Sequence, residues 1–305
     1  MLIAVALVMV ACSNSDPVSQ DWIRRAPVEI PRSEMPAVAV DSAIYAIGGL
    51  VSTAQGFAAT ESVERYLPDE DRWEPVAALP SPRHHLMAAA MGGLVYVVGG
   101  YSAEGFIPVA SGWSYDPATN VWTEIPDLPE ATGAGAAATL DGLIYVLGGV
   151  PNARETLVFD PADQTWTSLA PLQQPREHFA VVAHDDKLWA LGGRWEGLML
   201  SSVEVFDPAL GTWAEGPGMI DARSGFGAAM VEGAIFVGGG EVFDPTRTLD
   251  EVESLVGGVW TAAPSLPVPL HGVPMVAIAD DLFVIAGSKE AGDVVNSADT
   301  WLLGG

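Results

Sequence analysis

Six tryptophans recur along the chain, at 22, 73, 122, 166, 213 and 260, and 26 residues after each of the first five a glycine doublet begins, at Gly48, Gly99, Gly148, Gly192 and Gly239. The sixth interval ends on Ala286-Gly287, one substitution inside the same pattern. Units of 44 to 51 residues repeated in this way cannot each bury a core alone, so neighbours must stack against one another. Gly at 33, Pro at 23 and the lack of any long segment with helical apolar spacing make the units all-β.

The parts of each unit come in a fixed order. About nineteen residues after the tryptophan stands a two-residue turn between apolar strands: Asp41-Ser42, Gly92-Gly93, Asp141-Gly142, Asp185-Asp186, Glu232-Gly233 and, one place later, Asp280-Asp281. Three residues before each doublet stands an aromatic: Tyr45, Tyr96, Tyr145, Trp189, Phe236 and Phe283. A third strand carries its own aromatic, and Tyr66 to Trp73, Tyr115 to Trp122, Phe159 to Trp166 and Phe206 to Trp213 share one spacing. Asp116, Asp160 and Asp207, each followed by Pro, are turn formers between the third and fourth strands. The fifth unit has Leu255 in the aromatic place and only four residues before Trp260, which predicts a tighter outer turn.

Apolar strand, Gly-Gly, variable loop, aromatic, six residues, Trp: over residues 21–303 these features resemble the kelch-repeat family. The resemblance implies a six-bladed β-propeller of four-stranded blades. The chain enters on a Trp22 strand and stops after Trp301, which is read as the third-strand aromatic, so the two ends complement each other. Asp21 to Arg24 is predicted to supply the outer strand of the last blade and close the ring, leaving no open sheet edge.

Residues 2–11 are uninterruptedly apolar but too short to span a bilayer. They end at Met9-Val10-Ala11-Cys12, followed by the polar spacer Ser13 to Gln20. This resembles a bacterial lipobox, with Met9 where Leu is usual and no basic residue before the run. Residues 1–20 are therefore expected to be an export signal and spacer, with Cys12 lipidated and the propeller, 21–305, held at the cell envelope. Cys12 is the only cysteine, which excludes a disulfide within the chain. The formal net charge of −26, with Lys187 and Lys289 the only lysines, argues against nucleic acid or an anionic membrane surface as partner.

Ten residues after the tryptophan the chain has Arg32, Arg83, Thr132, Arg176 and Arg223; with one extra residue allowed in the sixth unit, His271 takes the same place. Chance would put only about 0.2 arginines on six such positions. Two causes compete. The guanidinium groups could bond carbonyls of the neighbouring blade, or they could converge on the channel mouth and grip carboxylates. Kelch propellers of ubiquitin-ligase adaptors use arginines near this place for acidic peptides, so the resemblance implies the second. His84, His85, Tyr101, His178, Arg194 and Trp195 neighbour the same mouth and complete the candidate binding set. The surrounding acidity favours a small anion or a short peptide carboxylate over a large acidic surface.

Three enzyme comparisons follow from the resemblance. A copper oxidase needs a cysteine within the repeats, and Cys12 lies outside them. The plant glucosinolate-diverting proteins carry Glu, Asp and His at intervals of four, a run not present here. An N-acetylneuraminate epimerase needs acid–base groups beside an arginine, roles in which Arg176, Glu177 and His178 could be cast. A metal at His84 and His85 is not expected, because adjacent strand residues point to opposite faces. The expected function is an exported, monomeric binding module without a cofactor, taking a protein, a peptide or a small anion; an epimerase-like enzyme and an envelope scaffold are the alternatives.

Overall fold

A computed structural model describes residues 21–103 and 105–304, and the lipobox-like Cys12 lies outside them. Six four-stranded antiparallel sheets are arranged radially. The first blade shows the pattern: Ala37–Val40 innermost, then Ala43–Ile47, Val63–Leu67 and Arg72–Pro75 at the outer edge. In the sixth, Met275–Ile278, Asp281–Ile285 and Thr300–Leu303 are completed by Ile23–Arg25 from the start of the propeller. The register of that closing pair is Ile23 to Leu302, Arg24 to Trp301 and Arg25 to Thr300.

Six apolar clusters fill the gaps between successive blades, the last joining Ile44, Tyr66 and Trp73 of blade one to Val276, Phe283 and Leu302 of blade six. The repeat tryptophans add a belt of hydrogen bonds. Each indole N–H donates to the end of the preceding blade's outer strand: Trp73 to Ala26, Trp122 to Ala77, Trp166 to Pro126, Trp213 to Ala170, Trp260 to Pro217 and Trp22 to Pro264. One indole thus supplies both apolar area and a satisfied donor, which is why no other residue type recurs here.

The glycine doublets are placed by a second belt. The second glycine donates its N–H to a carbonyl at the start of the next blade, Gly49 to Arg83, Gly100 to Thr132, Gly149 to Arg176, Gly193 to Arg223, Gly240 to Leu270 and Gly287 to Arg32. At Gly48, the first of its doublet, with φ of 61°, a Cβ would sit 2.7 Å from the Arg83 carbonyl of the next blade, so close blade-to-blade approach demands glycine.

Two readings of the sixth unit are corrected by this register. Its hairpin turn is Ala279-Asp280, nineteen residues after Trp260 as in the other blades, because Asp281 already pairs with Ile278. No extra residue exists, and Leu270, not His271, occupies the arginine place. Leu303 pairs with Leu282 as Tyr66 pairs with Ile44, so Leu303 rather than Trp301 takes the third-strand aromatic place. The fifth blade has the expected tight turn, with Gly257 and Gly258 both at positive φ between Val256 and Val259.

Candidate functional site

The four repeat arginines do not reach a ligand at the channel mouth. Arg32, Arg176 and Arg223 are fully buried inside their own blades. Arg176 donates to the Gly192 carbonyl at 2.7 Å and to Glu204 Oε1 at 2.8 Å; Arg223 donates to Gly239 at 3.0 Å and Glu253 at 2.6 Å; Arg32 reaches Ala46 at 3.2 Å and Glu64 at 3.1 Å. Each carboxylate also accepts two backbone N–H groups from the segment leading to its arginine, as Glu204 does from Gln173 and Gln174. Arg83 lies 5.1 Å over the Trp113 ring and donates to Ser111. The expectation that these guanidinium groups line the mouth is therefore corrected. The carbonyls they satisfy belong to the same blade rather than to the neighbouring one.

The six blades supply an internal control. Where the arginine place holds Thr132, the acid place holds Leu157; where it holds Leu270, the acid place holds Trp301. An apolar or polar match replaces the ion pair as a unit, the pattern expected if the pair is a packing element.

What does converge on the axis lies two residues further on. Glu34, His85, Ala134, His178, Gly225 and Gly272 all have positive φ, between 49° and 62°. Each donates its backbone N–H to the carbonyl of the equivalent residue in the blade before: His85 to Glu34, Ala134 to His85, His178 to Ala134, Gly225 to His178, Gly272 to Gly225, and Glu34 back to Gly272, at 2.7 to 3.0 Å. The ring is closed. Three of its members are small, and a Cβ on Gly272 would sit 2.5 Å from Glu34 Oε1. The space is taken by the side chains of Glu34, His85 and His178, which offer ligand atoms within 4.8 Å of one another.

Above the ring, on the face of the post-doublet loops, opens a recess of about 270 Å³. Glu34, His85, His178, Arg194, Glu241 and His271 form its polar floor, and Phe57, Phe106 and Phe243 its rim. Arg194 donates to Glu177 at 2.8 Å and to Glu241 at 2.9 Å. Glu177 also accepts from His178 Nδ1 at 3.1 Å. Burial alone would raise the Glu177 pKa, but His178 and Arg194 outweigh it and hold the group at about 2. His271 Nε2 donates to the Glu290 carbonyl at 2.7 Å, and its Nδ1 lies 3.5 Å from both Glu34 and Glu241. Burial disfavours its charge; the two carboxylates more than offset that and hold its pKa at about 9.

His84, His85 and Tyr101 are brought together with Phe106, with ring centroids 4.7 to 5.8 Å apart. The argument that His84 and His85 must face opposite ways fails, because His85 is left-handed at φ 52° and not extended. Trp195 is half-buried on the short hairpin with Leu198 and does not line the recess. Glu177 and His178 meet, but Arg176 points into the blade toward Glu204, which removes the arginine from the epimerase-like trio. The sequence reading missed Glu34, Glu241 and the three phenylalanines. Glu34 was findable, since it lies twelve residues after Trp22 just as His85 and His178 follow Trp73 and Trp166; Glu241 follows its doublet as Tyr101 and Arg194 follow theirs.

Glu204→Leu is expected to destabilise the protein by about 3–5 kcal/mol in urea unfolding, because Arg176 is left buried and unpaired. Arg176→Thr with Glu204→Leu, copying the pairing of blade three, is expected to recover most of that loss. A double variant as unstable as the single one contradicts the packing role.

Among known proteins, residues 24–193, more than half of the chain, match the model of the KLHDC2/KLHL20/DRC7 Kelch-repeats domain, and residues 175–220 match the Kelch motif. Kelch-like protein 33 of Homo sapiens is 39% identical over 85 residues, 28% of this chain and 15% of that protein. Kelch-like protein 40 of Mus musculus is 30% identical over 128 residues, 40% of this chain and 21% of that protein. These matches span only a small part of the length of the curated relatives. The solved structure of YjhT superposes with a TM-score of 0.78 at 19% identity, over 90% of this chain and 95% of that one, a likeness of fold. With the doublet belt, the tryptophan belt and the family match in agreement, this chain belongs to the kelch-repeat family.

Proposed function

We propose that the protein is an exported kelch module, tethered to the cell envelope through Cys12, that binds a partner protein by the loop face around the axial recess. The observation that carries the binding reading is the rim. Phe57 and Phe106 come from the loops of adjacent blades, are 46% and 57% exposed, and pack edge to face with centroids 6.1 Å apart. Phe243, 38% exposed, stands at the same recess. Aromatic side chains held rigidly at the edge of a pocket are what protein interfaces use as anchors, and variable loops on a fixed scaffold are where such anchors sit. Kelch domains generally bind other proteins, which agrees with this reading. The small-anion version loses its main support with the burial of the arginines, since Arg194, the arginine at the recess, is already held by two carboxylates.

A photo-crosslinking residue at position 57 in the exporting cell is expected to capture one reproducible partner. The purified partner should then bind Phe57→Ser/Phe106→Ser at least about tenfold more weakly than wild type, ~1.4 kcal/mol, with no change in melting temperature. Equal binding by the double variant would refute the rim as the contact. The tether is tested separately: Cys12→Ser should move the protein from the membrane pellet to the soluble fraction, and an unchanged distribution would remove the lipid anchor from the account.

A further inference from the structure

The axial ring contains a donor–acceptor mismatch. The Gly105 carbonyl, 3.2 Å from His84 Nε2, can only accept, so His84 Nε2 carries a proton and, in the neutral ring, His84 Nδ1 presents a lone pair. His85 Nδ1 is hydrogen-bonded to that nitrogen and must therefore donate. His85 Nε2 is left with its own lone pair, and it faces the Glu34 carboxylate at 3.2 Å. Two lone pairs facing each other at hydrogen-bond distance make a place that a proton or a metal ion can fill.

The third ring side chain is arranged in the same sense. Glu177 accepts from His178 Nδ1, which leaves the lone pair on Nε2, the carboxylate–histidine support common behind metal ligands. Arg194 holds Glu177 through Nε and Glu241 through Nη1, while its Nη2 lies 3.4 Å from both nitrogens of His178, a contact that a metal ion at His178 Nε2 would replace. Around the axis stand the carboxylates of Glu34, Glu177 and Glu241, with Arg194 paired to the last two.

We propose that Glu34, His85 and His178 form a site for one first-row divalent transition-metal ion on the propeller axis. Two imidazoles and one carboxylate are a donor set for Zn²⁺, Fe²⁺ or Co²⁺. Their ligand atoms, all within 4.8 Å, need to close by up to about 1.4 Å to reach the ~3.4 Å spacing of a tetrahedral ion with bonds near 2.1 Å. Side-chain rotation supplies that movement while the backbone ring stays fixed. Three protein ligands leave a position open for water or a ligand. The site is independent of partner binding at the phenylalanine rim, so either reading can fail without the other.

The test uses the purified protein stripped with a chelator and titrated with Co²⁺, followed by calorimetry and visible absorption. One equivalent is expected, with d–d bands of a four- or five-coordinate ion that Zn²⁺ abolishes. Glu34→Gln and His178→Gln are each expected to weaken binding at least about tenfold. His184→Ala, on the opposite face, should leave it unchanged, and the far-ultraviolet spectrum of each variant confirms folding. Loss of binding in His178→Gln alone suffices if Glu34→Gln fails to fold. No saturable equivalent, or binding equal to wild type in the folded ring variants, would overturn the proposal and leave a proton as the cation between Glu34 and His85.

Discussion

The structure depends on closure: each blade hands a hydrogen bond to the next until the last returns to the first. This occurs at three radii, at the axial ring from Glu34 to Gly272, at the glycine doublets, and at the outer tryptophans, where Trp22 reaches Pro264. An open chain of blades would expose the apolar clusters of both end blades and one unpaired edge. Pairing Ile23–Arg25 with Thr300–Leu303 removes both costs at once. The same constraint fixes chemistry, because a closed ring of N–H to C=O bonds at the axis requires left-handed backbone, and only there do Glu34, His85 and His178 come within reach of one another.

The buried Arg–Glu pairs illustrate how repetition separates architecture from function. A fully buried guanidinium is costly unless its charge and most of its donors are met, and in blades one, four and five a carboxylate and backbone carbonyls do so. Blade two substitutes the face of Trp113 for the acid, and blades three and six dispense with the charge. A ligand-binding role would not require the partner residue to change with the arginine. Non-random placement of arginine was a real signal, and its cause is the packing of the inner strands.

The fold was legible because six copies of one pattern were available to compare; repetition located the arginines without revealing their role, and the other slips fall where a single copy departs from the pattern. Asp280-Asp281 looked like a better turn than Ala279-Asp280, and accepting it displaced His271 into the arginine place; Ala279 adopts φ 50° despite its Cβ. His84 and His85 were judged by strand geometry, which the left-handed ring residue does not obey. Glu34 shares with His85 and His178 a place twelve residues after the repeat tryptophan, a signal that only the comparison of blades carries. Phe57 and Phe106 sit in loops without a shared register, so periodicity carried no information about them.

A rigid axial ring beneath a rim of variable loops divides the labour of the loop face. The rim offers exposed aromatic area, and the ring holds polar groups that the scaffold does not let relax away from one another. That division stands only if the ring is a permanent part of the core. Native-state amide hydrogen exchange of Glu34, His85, Ala134, His178, Gly225 and Gly272 tests this most directly. Closure predicts that all six amides exchange in the slowest class, at rates set by global unfolding and alike from blade to blade. Exchange of any of them at the rate of surface loops, or opening of the Glu34 to Gly272 link independently of the rest, would contradict it.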